Sequence, residues 1–175
     1  MINDFNLLAT TARGNERAMI NEILYILREE LKDTEAQASK TKIRGLIVAK
    51  TSLDPLEAIK KIRVILAERP YELRYALRIV PIQTVVATNL AEIKSATEKF
   101  SAKIGENQSF RVTVEKRFTE LHSKDLVEAA AGGIKRKVAL KNPDLILQIE
   151  VLGELTGISL LRPTDILLVV KEKLL

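Results

Sequence analysis

Side chains able to do covalent chemistry are few and scattered in this sequence. It holds one histidine, His122, and no cysteine. Structural zinc sites draw on thiolates and imidazoles, so a site here would lean almost wholly on carboxylates, and no metal is expected. No serine lies in the Gly-x-Ser-x-Gly turn that exposes a nucleophile. Gly132-Gly133 is not followed by Gly-Lys-Ser/Thr, so it is not a phosphate loop. Glycine within a helix costs about 1 kcal/mol relative to alanine. The run Ala129-Ala130-Ala131-Gly132-Gly133 therefore reads as close packing against a sheet or an RNA backbone. The pair Glu29-Glu30 reads as a solvated helix face. Neither a catalytic centre nor a cofactor is expected; the alternative is an RNA-modifying enzyme with an unrecognised site, using His122 and Asp125.

Cations are the better candidates. Residues 40–80 carry ten Lys/Arg against four Asp/Glu, and residues 108–144 carry eight against five, whereas residues 1–39 carry four against seven. Two basic blocks between an acidic start and a near-neutral end suggest a polyanionic partner. In the first block Lys60, Lys61 and Arg63 share the polar side of a helix. In the second, Lys116 and Arg117 end a strand, and Ser123-Lys124 begins a helix whose free N–H groups suit phosphate. Lys135, Arg136, Lys137 and Lys141 cluster beyond. Aromatic residues are only 4% of the chain, which disfavours base stacking on a sheet face and favours phosphate contacts with a folded RNA.

The elements that must position these groups follow from periodicity. Phe5–Thr11 reads as a buried strand, and Met19, Ile20, Ile23, Leu24, Leu27 and Leu31 form one helical face. Residues 32–42 read as a loop, Ile43–Lys50 as a strand, and Asp54-Pro55-Leu56-Glu57 as a capped helix start. Arg74–Val80 reads as a third strand, so the first 80 residues run β-α-β-α-β, most of a ferredoxin-like unit. Asn89 opens another helix with Leu90, Ile93, Thr97 and Phe100 on one side. Ser109–Arg117 alternates around Phe110, Val112 and Val114 as a half-buried strand. Ser123 caps a helix carrying Leu126, Val127, Ala130, Ile134 and Val138, with Lys135–Lys137 in its last turn, opposite the helix dipole. Asn142-Pro143-Asp144 is a turn, Leu145–Leu152 and Gly157–Leu161 are closing strands, and Ile166–Val170 reads equally as strand or helix. The chain is thus α+β, with domains expected at residues 1–68 and 69–175 and the boundary placed to within about ten residues. No apolar run approaches the roughly 20 residues that span a bilayer. Met1–Phe5 lacks the basic and apolar regions of a signal peptide, and the lack of cysteine fits a cytoplasmic location.

The second half resembles a known family. Phe110–Arg117, the Ala/Gly-rich helix Ser123–Gly132, Val138-Ala139-Leu140-Lys141-Asn142-Pro143-Asp144 and Gly157-Ile158-Ser159 together resemble the THUMP domain. The half leading into Arg78-Ile79-Val80-Pro81-Ile82 resembles its ferredoxin-like companion. Two positions depart from the pattern: Ala139 stands where the family commonly has Asp, and Phe118–His122 lacks the Asn-rich character of some members. The resemblance implies a tRNA-binding protein, with Arg111, Lys116, Arg117, Ser123, Lys124, Lys135, Arg136, Lys137 and Lys141 facing RNA. Nothing follows Leu175 in this sequence, and the resemblance is strongest to stand-alone members. It thus implies an adaptor that presents tRNA to an RNA cytidine acetyltransferase for N4-acetylcytidine formation, with no cofactor, membrane or DNA partner.

Overall fold

Leu7, Leu8 and Ala9 are all buried, as a strand bonded on both edges requires. In the computed structural model, which describes residues 1–175, β1 (Leu7–Thr10) lies between β3 (Leu46–Lys50) and β4 (Arg78–Pro81), antiparallel to both. Helices α1 (Glu16–Tyr25) and α2 (Pro55–Glu68) bury Met19, Ile23, Ile59, Ile62 and Leu66 in one cluster with Leu7, Ala9, Ile47, Ala49 and Ile79. Each such aliphatic side chain contributes roughly 1.5–3 kcal/mol on burial. Asp54 caps α2 as expected, accepting from the N–H of Leu56 at 2.9 Å and of Glu57 at 3.2 Å, with Pro55 in the first turn.

Three readings in this region need correction. The supposed loop holds β2 (Gln37–Lys40), paired antiparallel with β3; its half-exposed polar residues show no apolar alternation. With it the order is β-α-β-β-α-β and the sheet runs β4-β1-β3-β2, the ferredoxin-like arrangement. The strand expected from Arg74 begins only at Arg78, because the Glu22 carboxylate takes the N–H groups of Arg74, Tyr75 and Ala76 at 2.6 to 3.2 Å. Glu30 is not simply solvated: Arg69 grips both its oxygens, at 3.0 and 2.8 Å. Past α1 the helix continues as a π-turn, Ile26–Glu30.

The division of the chain also differs from the expected one. One unit comprises Met1–Ile82 and Asp165–Leu175, the other Gln83–Thr164. The tail supplies both of the structures its sequence allowed. Its strand β10 (Leu167–Leu168) pairs with β4, and helix α5 (Val169–Lys173) follows. Leu167 and Val169 are buried in the first core, and Arg63 meets Glu172 at 2.6 Å.

The second unit has a five-stranded sheet in the order β5-β9-β8-β6-β7. These strands are β5 (Thr84–Ala87), β6 (Ser109–Arg117), β7 (Lys137–Val138), β8 (Leu145–Leu152) and β9 (Leu155–Leu161). β6 is parallel to β7 and β8, and the other pairs are antiparallel. Helices α3 (Leu90–Glu98) and α4 (Ser123–Ala131) bury Ile93, Ala96, Leu126 and Ala130 with Phe110, Leu147, Ile149 and Val151. Asn89 accepts from the Glu92 N–H at 2.8 Å. No helix is long and apolar enough to cross a membrane.

Candidate nucleic-acid interface

Strand β6 and helix α4 position most of the nine sequence-selected residues. Side chains alternate along a strand. Lys116 therefore falls in phase with Phe110, Val112 and Val114, and Arg111 and Arg117 fall in the opposite phase. Arg117 is committed to the fold: it donates to the fully buried carboxylate of Glu150 at 2.9 Å. Lys116 is exposed and donates to the Leu121 carbonyl at 3.0 Å, across the turn that leads into α4.

His122, not Ser123, occupies the N-cap position, and no side chain caps α4. Ser123, the first helical residue, and Lys124 are both exposed; Lys124 lies 4.0 Å from Glu128 one turn on. Phe118, between β6 and α4, is 70% exposed at a positive φ of 56°.

Helix α4 ends at Ala131, so Lys135–Lys137 are not in its last turn and dipole compensation does not account for them. A side chain at Gly133 would collide with the Glu98 side chain of α3, so Gly133 lies close against that helix, whereas Gly132 meets only the Glu128 carbonyl of α4. Beyond them the chain turns, and Lys137–Val138 add a short edge strand beside Ser109–Phe110. Two of the predicted arginines hold this segment. Arg136 donates to the carbonyls of Ile104 and Lys135, each at 2.9 Å, and Arg111 donates to the Leu140 carbonyl at 3.0 Å. The Asp144 carboxylate accepts from the Ser109 N–H at 2.7 Å, which closes the Asn-Pro-Asp turn onto β6.

What remains exposed on the segment is Lys135, Lys137 and Lys141, with Val138 and Leu140 between them at 56% and 73% exposure. The exposure of Val138 corrects the expectation that it lies on the buried stripe of α4, which ends seven residues earlier. Lys124 lies at one end of α4 and this trio beyond the other; nine helical residues span about 13 Å. Such an array of ammonium groups on pinned backbone can neutralise several phosphates. No group of three or more His, Cys, Asp or Glu is gathered anywhere that could hold a metal. In the first unit Lys60 pairs with Glu57, and Arg63 ties α2 to the tail.

No curated protein matches the chain. Solved structures share its fold at low identity. PH1313 from Pyrococcus horikoshii is 22% identical with a TM-score of 0.60, over 90% of this chain and 55% of that one. TrmN from Thermus thermophilus is 18% identical with a TM-score of 0.58, over 88% and 44%. A predicted N6-adenine-specific DNA methylase from Listeria monocytogenes is 16% identical with a TM-score of 0.53, over 90% and 40%. The chain thus spans about half the length of these proteins. The profile of the THUMP domain family matches residues 87–161, which run from the end of β5 through β9. The second unit of this protein is therefore a THUMP domain, preceded by a ferredoxin-like α/β region.

Proposed function

We propose that this protein binds tRNA through its THUMP domain and presents it to a modifying enzyme without catalysing a reaction itself. The observation that carries the reading is the set of exposed lysines Lys124, Lys135, Lys137 and Lys141 on a segment fixed by Arg111, Arg136 and Asp144. Phosphate contacts of this kind set register and orientation but read no bases, which suits a presenting role. An RNA cytidine acetyltransferase that forms N4-acetylcytidine is the partner the family resemblance favours.

Titration of labelled tRNA over a salt series tests the binding. Affinity should fall log-linearly with salt. Replacing Lys135, Lys137 and Lys141 with Ala should lower the slope by roughly 2 to 3, about one released counterion per lost contact. Unchanged affinity and slope in that variant would remove the segment from the interface. Formation of N4-acetylcytidine by the purified protein alone, given acetyl-CoA and ATP, would overturn the presenting role.

A further inference from the structure

A second basic feature lies in the ferredoxin-like unit. Arg13, Lys40, Lys42 and Arg44 line a cleft of about 470 Å³. All four side chains are exposed, and none forms an ion pair. Lys40, Lys42 and Arg44 alternate along the first basic block, and the fold adds Arg13 from the connection between β1 and α1.

Three contacts bring them together. The β2–β3 connection docks against the end of β1, where the Thr11 N–H donates to the Gly45 carbonyl at 2.9 Å. The Glu16 carboxylate then accepts from the Gly45 N–H at 2.7 Å and from the Gly14 N–H at 3.0 Å, clamping the start of α1 to the hairpin. The hydrogen bond from Gly45 holds Glu16 below the usual carboxylate range, so it stays ionised. Thr41 stiffens the tip: its hydroxyl accepts from the Ile43 N–H at 3.1 Å and lies 2.9 Å from the Leu46 carbonyl oxygen. The one acid in the cleft is thus occupied with backbone, and the cations ride on fixed positions.

We propose that this cleft is a second phosphate-binding site, gripping the sugar-phosphate backbone of the RNA that the chain binds; it rests on the RNA-binding reading above. Two arginines and two lysines around one concavity offer forked and point-charge donors to phosphate oxygens. Ile43 is the only apolar side chain of the lining. An acidic protein segment would find no aromatic or aliphatic pocket to anchor it, whereas a phosphate backbone needs none.

The experiment uses the full chain in three forms: wild type, Arg13→Ala/Lys42→Ala/Arg44→Ala, and Lys135→Ala/Lys137→Ala/Lys141→Ala. Each is titrated with tRNA across salt, and wild-type Lys40 and Lys42 are acylated with and without tRNA and quantified by mass spectrometry. The cleft variant should bind roughly tenfold more weakly, with a salt slope reduced by about 2 to 3. Bound tRNA should protect both lysines several-fold. Normal binding by the cleft variant with no lysine protection, while the other variant loses affinity, overturns the cleft and leaves the THUMP reading standing. A wild type that binds no tRNA at low salt overturns both.

Discussion

Arg117 and Lys116 are neighbours of equal charge with opposite duties. Removing the Arg117 guanidinium takes the cation from a carboxylate that has no solvent exposure. Arg117→Ala should therefore destabilise the protein by about 3–5 kcal/mol, and Lys116→Ala by under about 1 kcal/mol. Urea titrations of the two variants measure both, and equal midpoints would refute the assignment. Neither role is legible from the pair Lys-Arg alone; it follows from strand phase, and from a buried glutamate 33 residues away that only the β6–β8 register brings near. Asp33 makes a second case. Burial pushes its carboxyl up, but hydrogen bonds from Ser52 and Thr51 outweigh that and leave it below its ordinary value. A depressed folded pKa gives stability that is present above the unfolded value, about 4, and is lost as pH falls through the folded one. The stability gap between wild type and Asp33→Asn should thus be widest near neutrality and close as pH drops below about 4. A gap independent of pH between 7 and 3 would contradict this.

Elements were most legible where a cap or strict alternation marked them. Asn89, Asp54 and the Phe110-Val112-Val114 strand all stand where local chemistry places them. Asn89→Ala should cost about 1 kcal/mol through the lost cap, read from the thermal midpoint. The reading failed where tertiary contacts replaced local signals. Strand β2 shows no alternation because it is an edge strand of polar residues held by β3. Helix α4 stops seven residues before the apolar stripe ends: Gly133 lies against the Glu98 side chain of α3, and Ile134 is buried from outside the helix. In the candidate site the exposure of the lysines is legible from their charge, whereas the anchoring of Arg111, Arg117 and Arg136 to backbone or carboxylate is not, because it rests on tertiary contacts. Gly45 is the matching case in the first unit. It combines a φ of 79° with the Thr11 carbonyl 2.8 Å from where a Cβ would lie. Gly45→Ala should destabilise by roughly 1–3 kcal/mol and loosen the Arg13–Arg44 cleft, which backbone hydrogen exchange at Thr11 would register.

At the scale of the molecule, the tail decides what counts as the first unit. Leu167 and Val169 are buried in its core, Glu172 holds Arg63, and Lys173 donates to the Leu73 carbonyl at 2.6 Å. Deleting residues 165–175 should therefore raise hydrogen exchange across β1, β3 and β4 while leaving β6, β8 and β9 protected. Uniform protection in the truncated chain would show the tail to be dispensable. Sequence alone left Ile166–Val170 open between strand and helix, and it could not announce the return to β4, because a two-residue strand carries no period.

The pairing of β4 with β10 has a topological consequence. Leu167 faces Ile79 and Leu168 faces Arg78, and the same antiparallel count carried outward sets residue 82 opposite residue 164. The THUMP domain is thus an insertion, whose points of departure and re-entry lie at the same end of one antiparallel pair of strands. Excising residues 83–163 and joining residues 82 and 164 through a two-residue Asn-Gly turn would turn β4 and β10 into an ordinary hairpin. The result would be a miniature ferredoxin-like protein that keeps the Arg13–Arg44 cleft and none of the lysines of the THUMP domain.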